Sequence, residues 1–250
     1  MDPYFWQIPV LALVGVVAGI LNVLAGGGSL LTLPLLIFLG LPAATANGTN
    51  RIAIFCQNVF AIAGFKRQGV FPLRLALICA PPALIGSYIG ANLAITVDEM
   101  VFRRLLALVM VAVVIFMAVD PMKRFRRSEM TMTPMRLVVL LVSFFAIGVY
   151  GGFVQAGVGF LIITGLLVHG LDLVRVNAVK VLVIFSFTVV ALGVFVMHGQ
   201  VDYVLGLSLA AGNSVGGWFA SHLAVNKGHE WIRRFVIATV LIFALRLLLQ

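Results

Sequence analysis

The sequence predicts an all-α polytopic membrane protein made of two inverted structural repeats. Each repeat is expected to hold a glycine-broken helical hairpin and about three full transmembrane helices. Three observations predict this. The 250 residues are 62% hydrophobic and only 10% charged, with a mean hydropathy of +1.17. Soluble domains average roughly 45–50% apolar and about 25% charged residues, so this chain cannot cover an aqueous surface. Two long apolar stretches are interrupted by glycine near their middles, and the two interruptions recur at a fixed offset. The composition excludes a cytosolic enzyme.

A transmembrane helix needs about 20 mostly apolar residues. Full spans are predicted at residues 44–65, 73–94, 101–119, 174–197, 203–225 and 231–249. Residues 10–41 and 137–170 are too long for single spans, since a continuous helix rises about 1.5 Å per residue. Each is broken by glycine, at Gly26-Gly27-Gly28-Ser29 and at Ala156-Gly157-Val158-Gly159. Glycine frees the backbone to turn, so each stretch divides into two helical pieces. The second pieces, residues 30–39 and 160–169, are too short to span. Exposed backbone at membrane depth is tolerated only beside protein or a water-filled cavity, which marks the breaks as a site.

An offset near 131 residues places Gly26 and Gly28 on Gly157 and Gly159, Ala46 on Asn177, Val70 on Val201 and Gly86 on Gly217. After a one-residue slip, Arg103-Arg104 falls on Arg233-Arg234. The predicted organisation is a first repeat over 1–119, a basic cytoplasmic linker over 120–136 and a second repeat over 137–250. The charges orient it. If each half crosses an odd number of times, twelve basic residues, among them Lys66, Arg67, Arg74, Lys123, Arg136, Arg175 and Lys227, face the cytoplasm, and only Arg103, Arg104 and Arg246 face outward. A parallel arrangement gives nine against six. The positive-inside rule favours the inverted one.

The net charge of +9 comes from 17 Lys and Arg against 8 Asp and Glu. The basic residues cluster in short connecting segments and form no soluble basic surface, so no nucleic-acid partner is expected. Cys56 and Cys79 lie in apolar runs and read as reduced packing residues. Residues 1–9 carry no Lys or Arg and no soluble region follows, so no cleaved secretory signal is expected.

Inverted repeats with discontinuous helices are a recurring architecture of secondary transporters, with the site at the repeat interface. Half-helices opening near Leu30 and Phe160 present unpaired N–H groups and a positive dipole end, which favours an anion. Arg51 is the sharpest single residue. It lies inside a span without an acidic neighbour in sequence, and an intramembrane charge marks a functional pathway by default. The bland alternative is snorkelling toward the interface near Pro42. Asn47, Asn50, Arg51, Gln57 and Asn58 recur at spacings of three, four and seven, so they share a stripe of donors suited to an oxygen-rich anion. Asn177 and Lys180 occupy the equivalent helix of the second half. Gln155 and Asn22, beside the two glycine breaks, are weaker candidates, and such amides also serve as helix-to-helix ties.

No Asp or Glu lies near the centre of a predicted span, so a carboxylate proton relay or sodium cage is not expected. His169, His198, His222 and His229 sit near predicted helix ends, as interfacial residues do. No His-Glu-x-x-His helix or inward acid pair suggests an enzyme, and neither a cofactor nor a metal is expected.

The run Gly26-Gly27-Gly28-Ser29-Leu30-Leu31 to Pro34, followed by Leu39-Gly40-Leu41-Pro42 and Ala46-Asn47-Gly48-Thr49-Asn50, resembles the TauE/SafE family of sulfite and organosulfonate exporters. Gly86-Ser87-Tyr88-Ile89-Gly90-Ala91 and Arg175-Val176-Asn177-Ala178-Val179-Lys180 are similar to the same family. The resemblance implies an inner-membrane, multi-pass permease for a small sulfur oxyanion, sulfite or a sulfonate, acting mainly in export by alternating access. It points to the Gly26, Gly27 and Gly28 loop, Asn50, Arg51, Asn177 and Lys180 as substrate-binding, joined on the residues' own evidence by Asn47, Gln57, Gln155 and Gly157. An anion channel, or an importer of a related sulfur-containing or carboxylate anion, is the alternative. The partners expected are the small anion, the lipid bilayer and a second copy of the chain as a homodimer.

Overall fold

The structure is a computed structural model that describes residues 4–119, 133–167 and 173–226. These residues form nine helices and no strand: α1 (Tyr4–Ala25), α2 (Ser29–Phe38), α3 (Ala43–Arg67), α4 (Leu73–Thr96), α5 (Glu99–Val119), α6 (Pro134–Phe153), α7 (Val158–Leu167), α8 (Leu173–Met197) and α9 (Tyr203–Asn226). The predicted span at 231–249, the basic cluster Lys123 to Arg127, Lys227, Arg233, Arg234, Arg246, His169 and His229 lie outside the described residues.

Both long apolar stretches break where the glycines are. Gly26 and Gly157, 131 positions apart, adopt φ values of +82° and +74°, a backbone region that side-chain-bearing residues rarely enter. The helices that follow, α2 and α7, are 10 residues each, about 15 Å long, half a hydrocarbon core of about 30 Å. The second break is earlier than the sequence suggested. It occupies residues 154–157, and α7 already begins at Val158, so Gly159 is helical. Only Gly157 needs the left-handed turn. Gly159 is required for a different reason: a Cβ on it would run into the Cα and carbonyl of Gly26, because the two breaks touch. At the other end of this stretch, α6 starts at Pro134, inside the segment assigned to the linker, with Thr133 accepting from the Arg136 N–H at 3.4 Å.

Four helical segments are long and apolar enough to cross a membrane: Phe5–Ala25, Leu73–Thr96, Pro134–Phe153 and Leu173–Met197. α5 covers the expected 101–119. α3 and α9 have full length but fail on composition, because α3 carries Asn47, Asn50, Arg51, Gln57 and Asn58 and α9 carries Asn213, Ser214 and Ser221. All of these are buried. Hydropathy counts polar residues without knowing which way they face, and here they face inward. The outer shell carries exposed Leu13, Leu77, Ile85, Leu108, Val142 and Leu207, the surface a protein presents to lipid.

The two halves clasp each other. α1 lies along α9, and α4 along α6. Gly15 abuts Leu209 and Gly19 abuts Asn213, so α1 and α9 run the same way, while Gly86 abuts Val149 and Gly90 abuts Phe153, so α4 and α6 do too. Small residues let these backbones approach closely, a common device between membrane helices. α3 also parallels α9, with Thr49 against Asp202, Ile52 against Gly206 and Gln57 against Gly217. α3 and α8 are opposed: the Phe55 and Phe185 rings stack at 5.2 Å, whereas Gly48 and Arg51 meet Phe195.

The contact between breaks yields a stability test. Gly26→Ala combines a left-handed backbone with a clash against Gly159 and is expected to destabilise by about 2 kcal/mol or more. Gly193→Ala, in a helix with open space around it, is expected to change stability by less than about 0.5 kcal/mol. Thermal unfolding in detergent followed by intrinsic fluorescence measures both.

Candidate functional site

α3 carries the polar stripe, and its first turns are held by the start of α5 and by the segment joining α8 to α9. Pro42 offers no side-chain cap. Instead the Glu99 carboxylate, from the start of α5, accepts the Ala43 N–H at 2.7 Å and pairs with Arg103 at 2.7 Å. A carboxylate at a helix N-terminus is favourably placed against the dipole. Thr45 donates to Gln200 at 2.6 Å, and the Thr49 hydroxyl accepts the Asp202 N–H at 2.8 Å. Arg51 lies on the next turn of this fixed segment.

Arg51 is fully buried, so it does not snorkel toward the interface. Its Nη2 donates to the Gly152 carbonyl at 2.5 Å and to Asn47 Oδ1 at 3.4 Å. Asn47 Nδ2 donates in turn to the Phe153 carbonyl at 2.7 Å. The guanidinium stands over the Phe195 ring at 4.9 Å. Nε and Nη1 have no hydrogen-bond partner. Arg51 has no carboxylate partner among the described residues.

Lys180 is also fully buried and holds a matching place in the other half. Its Nζ donates to the Asn22 carbonyl at 3.0 Å, the Val23 carbonyl at 2.6 Å and Asn177 Oδ1 at 2.8 Å. Asn22 and Val23 belong to the last turn of α1, as Gly152 and Phe153 belong to the last turn of α6. Each cation therefore sits at the carbonyl end of the opposite half's broken helix, where a positive charge is favoured. The two stand apart along the bundle. With Phe55 level with Phe185, Arg51 and Lys180 are separated by roughly nine residues, about 14 Å of helix rise.

The amides divide between these two places. Near Arg51, Asn50 Oδ1 accepts the Thr32 hydroxyl of α2 at 2.6 Å. Near Lys180, Gln57 Oε1 accepts from Asn22 Nδ2 at 3.1 Å and from Asn213 Nδ2 at 3.4 Å. Gln155, beside the second break, donates to Thr188 at 2.9 Å. Thr188 stands 131 residues after Gln57, so each break ties a side chain to the equivalent position of its own half. The first break continues through Gly27 and Gly28, whose carbonyls accept the Leu30 and Leu31 N–H groups at 3.0 Å each. The N-terminus of α2 has no side-chain cap.

The chemistry of the site lies in what is left over. Asn50 Nδ2, Arg51 Nε and Nη1, Gln57 Nε2 and Asn58 Nδ2 on α3, and Asn177 Nδ2 on α8, are buried nitrogens without partners. The unpartnered buried oxygens are Asn58 Oδ1, Gln155 Oε1, Asn213 Oδ1 and Thr164 Oγ1. On α3 the excess is of donors, the complement of a ligand rich in oxygen lone pairs. The described acids, Asp98, Glu99 and Asp202, all stand at helix starts, and no group of three metal-ligating side chains occurs among the described residues. His198, just past the end of α8, and His222 in α9 bond the carbonyls of Val194 and Trp218 four residues before them.

Sequence reasoning missed Thr32, Thr188 and Asn213. Asn213 was detectable as an isolated amide midway through a predicted span. Thr32 and Thr188 carry no signal, because threonine is common in apolar helices, and the carbonyls of Gly152 and Phe153 leave no mark on a side-chain pattern.

Residues 11–247 match the family model described as sulfite exporter TauE/SafE. The chain belongs to the TauE/SafE family. It is a membrane protein of a transporter family. Similar proteins include the probable membrane transporter protein ORF9 of Sinorhizobium sp, 27% identical over 99% of this chain and 94% of that protein. A probable membrane transporter protein of Haemophilus influenzae is 27% identical over 95% of this chain and 92% of its own length. The probable membrane transporter protein YfcA of Escherichia coli K12 is 25% identical over 96% and 88%. No solved structure matches the chain.

A matched pair of substitutions tests the hydrogen-bond pattern. Thr188→Val removes the acceptor of a fully buried contact and leaves Gln155 unpaired at both ends, so a loss of about 1–3 kcal/mol is expected. Thr164→Val deletes a hydroxyl that has no partner and is expected to be neutral or stabilising. Thermal midpoints of the two purified variants distinguish them.

Proposed function

We propose that this TauE/SafE protein is a multi-pass permease of the cell inner membrane that moves a small sulfur oxyanion, sulfite or an organosulfonate, mainly outward by alternating access. The observation that carries the reading is Arg51: a fully buried guanidinium without a carboxylate partner among the described residues, with the N–H groups of two of its nitrogens unspent, next to the unpaired amide nitrogen of Asn50. An unpaired charge in a low-dielectric interior is costly, and an anionic ligand with several oxygens relieves that cost. The family description, sulfite exporter, supplies the oxyanion class and the direction.

In this reading Arg51, Asn47 and Asn50 hold the anion on one side of the bundle. Gln57, Asn177 and Lys180 meet it on the other, and the breaks at Gly26, Gly27, Gly28 and Gly157, with Gln155, supply backbone and amide groups between them. An inverted two-fold relation of the halves is supported by the opposed run of the equivalent helices α3 and α8 and by the exchanged pairs α1 with α9 and α6 with α4. Rocking of one repeat against the other would then open the path to each side in turn.

The test is transport by proteoliposomes preloaded with sulfite. Arg51→Lys keeps the charge but loses the fork, and Arg51→Ala loses both. Each charge-assisted hydrogen bond removed is worth about 1.5–3 kcal/mol, so Arg51→Ala is expected to slow efflux about 10- to 100-fold, with Arg51→Lys between it and wild type. A well-folded Arg51→Ala protein exporting sulfite at the parental rate overturns the assignment. Parallel assays with sulfate, thiosulfate and carboxylates identify the anion.

A further inference from the structure

A groove of about 910 Å³ runs between α3 and α9 on the outer side of the bundle, away from the buried amides. Val59, Phe60 and Ala63 of α3 and Ala211, Val215 and Phe219 of α9 line its apolar length. The two helices are parallel, so the groove has distinct ends, with Cys56 and Leu207 at one and Arg67 and Trp218 at the other. From Cys56 to Arg67 it covers about 16 Å of helix rise, close to half of a hydrocarbon core of about 30 Å. Its length is that of one leaflet, and its charged end coincides with the last residue of α3.

That end is positively charged. The Arg67 guanidinium lies over the Trp218 ring at 4.9 Å, and Lys66 over Phe71 at 5.7 Å, both side chains being exposed. Arg74 follows at the start of α4. The described acids lie at the opposite end: Glu99 bonds the first residue of α3, Asp98 precedes it, and Asp202 bonds Thr49. No described carboxylate is therefore available to Lys66 or Arg67. We infer that the groove is a binding site for an anionic phospholipid, its phosphate on Arg67 and Lys66 and an acyl chain along Phe60, Val215 and Phe219. Basic pockets between membrane helices bind acidic headgroups in this way, and an interfacial tryptophan suits the headgroup boundary. A second copy of the chain fits less well: a two-fold contact here would set Arg67 and Lys66 against their own counterparts and would match concave surface to concave surface.

The experiment uses the full chain with Trp6→Phe and Trp231→Phe, so that Trp218 reports alone, in vesicles carrying brominated phosphatidylglycerol or brominated phosphatidylcholine at equal mole fraction. Brominated phosphatidylglycerol is expected to occupy the groove about fivefold more strongly, the effect of roughly one basic contact, and Arg67→Gln is expected to abolish the preference. Equal quenching by both lipids overturns the proposal, as does absence of quenching by either together with cross-linking between Ala63→Cys chains, which marks a second copy. The unsubstituted chain provides an independent reading: phospholipid co-purifying from mixed vesicles is expected to be enriched in phosphatidylglycerol, less so for Arg67→Gln. Co-purified lipid matching the vesicle composition overturns the proposal. Sulfite efflux is not involved in either readout, so failure here is separable from failure of the transport reading.

Discussion

Two helices of this protein stop inside an apolar interior, and the carbonyl groups they leave open must be satisfied there. A helix ends with four carbonyls lacking intrahelical partners. Water would solve the problem at a surface, but the last turns of α1 and α6 are buried among other helices. The solution is a cation from the opposite half. Lys180 takes the Asn22 and Val23 carbonyls, and Arg51 takes Gly152 while its neighbour Asn47 takes Phe153. The breaks, the buried charges and the clasp between halves form one arrangement, since a helix end without its cation would have to reorganise.

The two cations satisfy the same requirement with different chemistry left over. An ammonium has three donors, and Lys180 uses all three on two carbonyls and Asn177. A guanidinium has five in a fixed fork, and Arg51 leaves Nε and Nη1 unspent. The arrangement is symmetric in its backbone contacts and asymmetric in its capacity for a ligand. The amides follow the same division, with Asn50 and its free Nδ2 beside Arg51, and Gln57 drawn into bonds with Asn22 and Asn213. Among the described residues, charge reaches the interior as the cations Arg51 and Lys180, accompanied by neutral amides, while carboxylates stay at helix ends.

Much of this was legible in residue order. Glycine at 26 and 157 announced both breaks, since no other residue takes a left-handed turn so readily, and the 131-residue offset related them. Arg51 was conspicuous because a charge in an apolar run is rare. Gly159 was legible as part of a repeat but not as a contact, and it was placed in the break although it lies in α7. Its need for hydrogen in place of a side chain comes from Gly26, a residue 133 positions earlier, and only the chain path brings them together.

Composition and periodicity by themselves determined that the chain is helical and membrane-embedded, where it breaks, and which side chains are too polar to face lipid. These follow from local quantities: hydropathy over a span, backbone freedom at one residue, spacing along one helix. Tertiary structure decided what each polar group meets. That Arg51 caps α6, that Lys180 caps α1, that they stand about 14 Å apart along the bundle, and that Asn213 joins the network depend on partners more than 100 residues away, and Thr188 meets Gln155 from 33 residues away. A hydrogen bond needs two groups at one place and angle, and a linear pattern specifies only one of them.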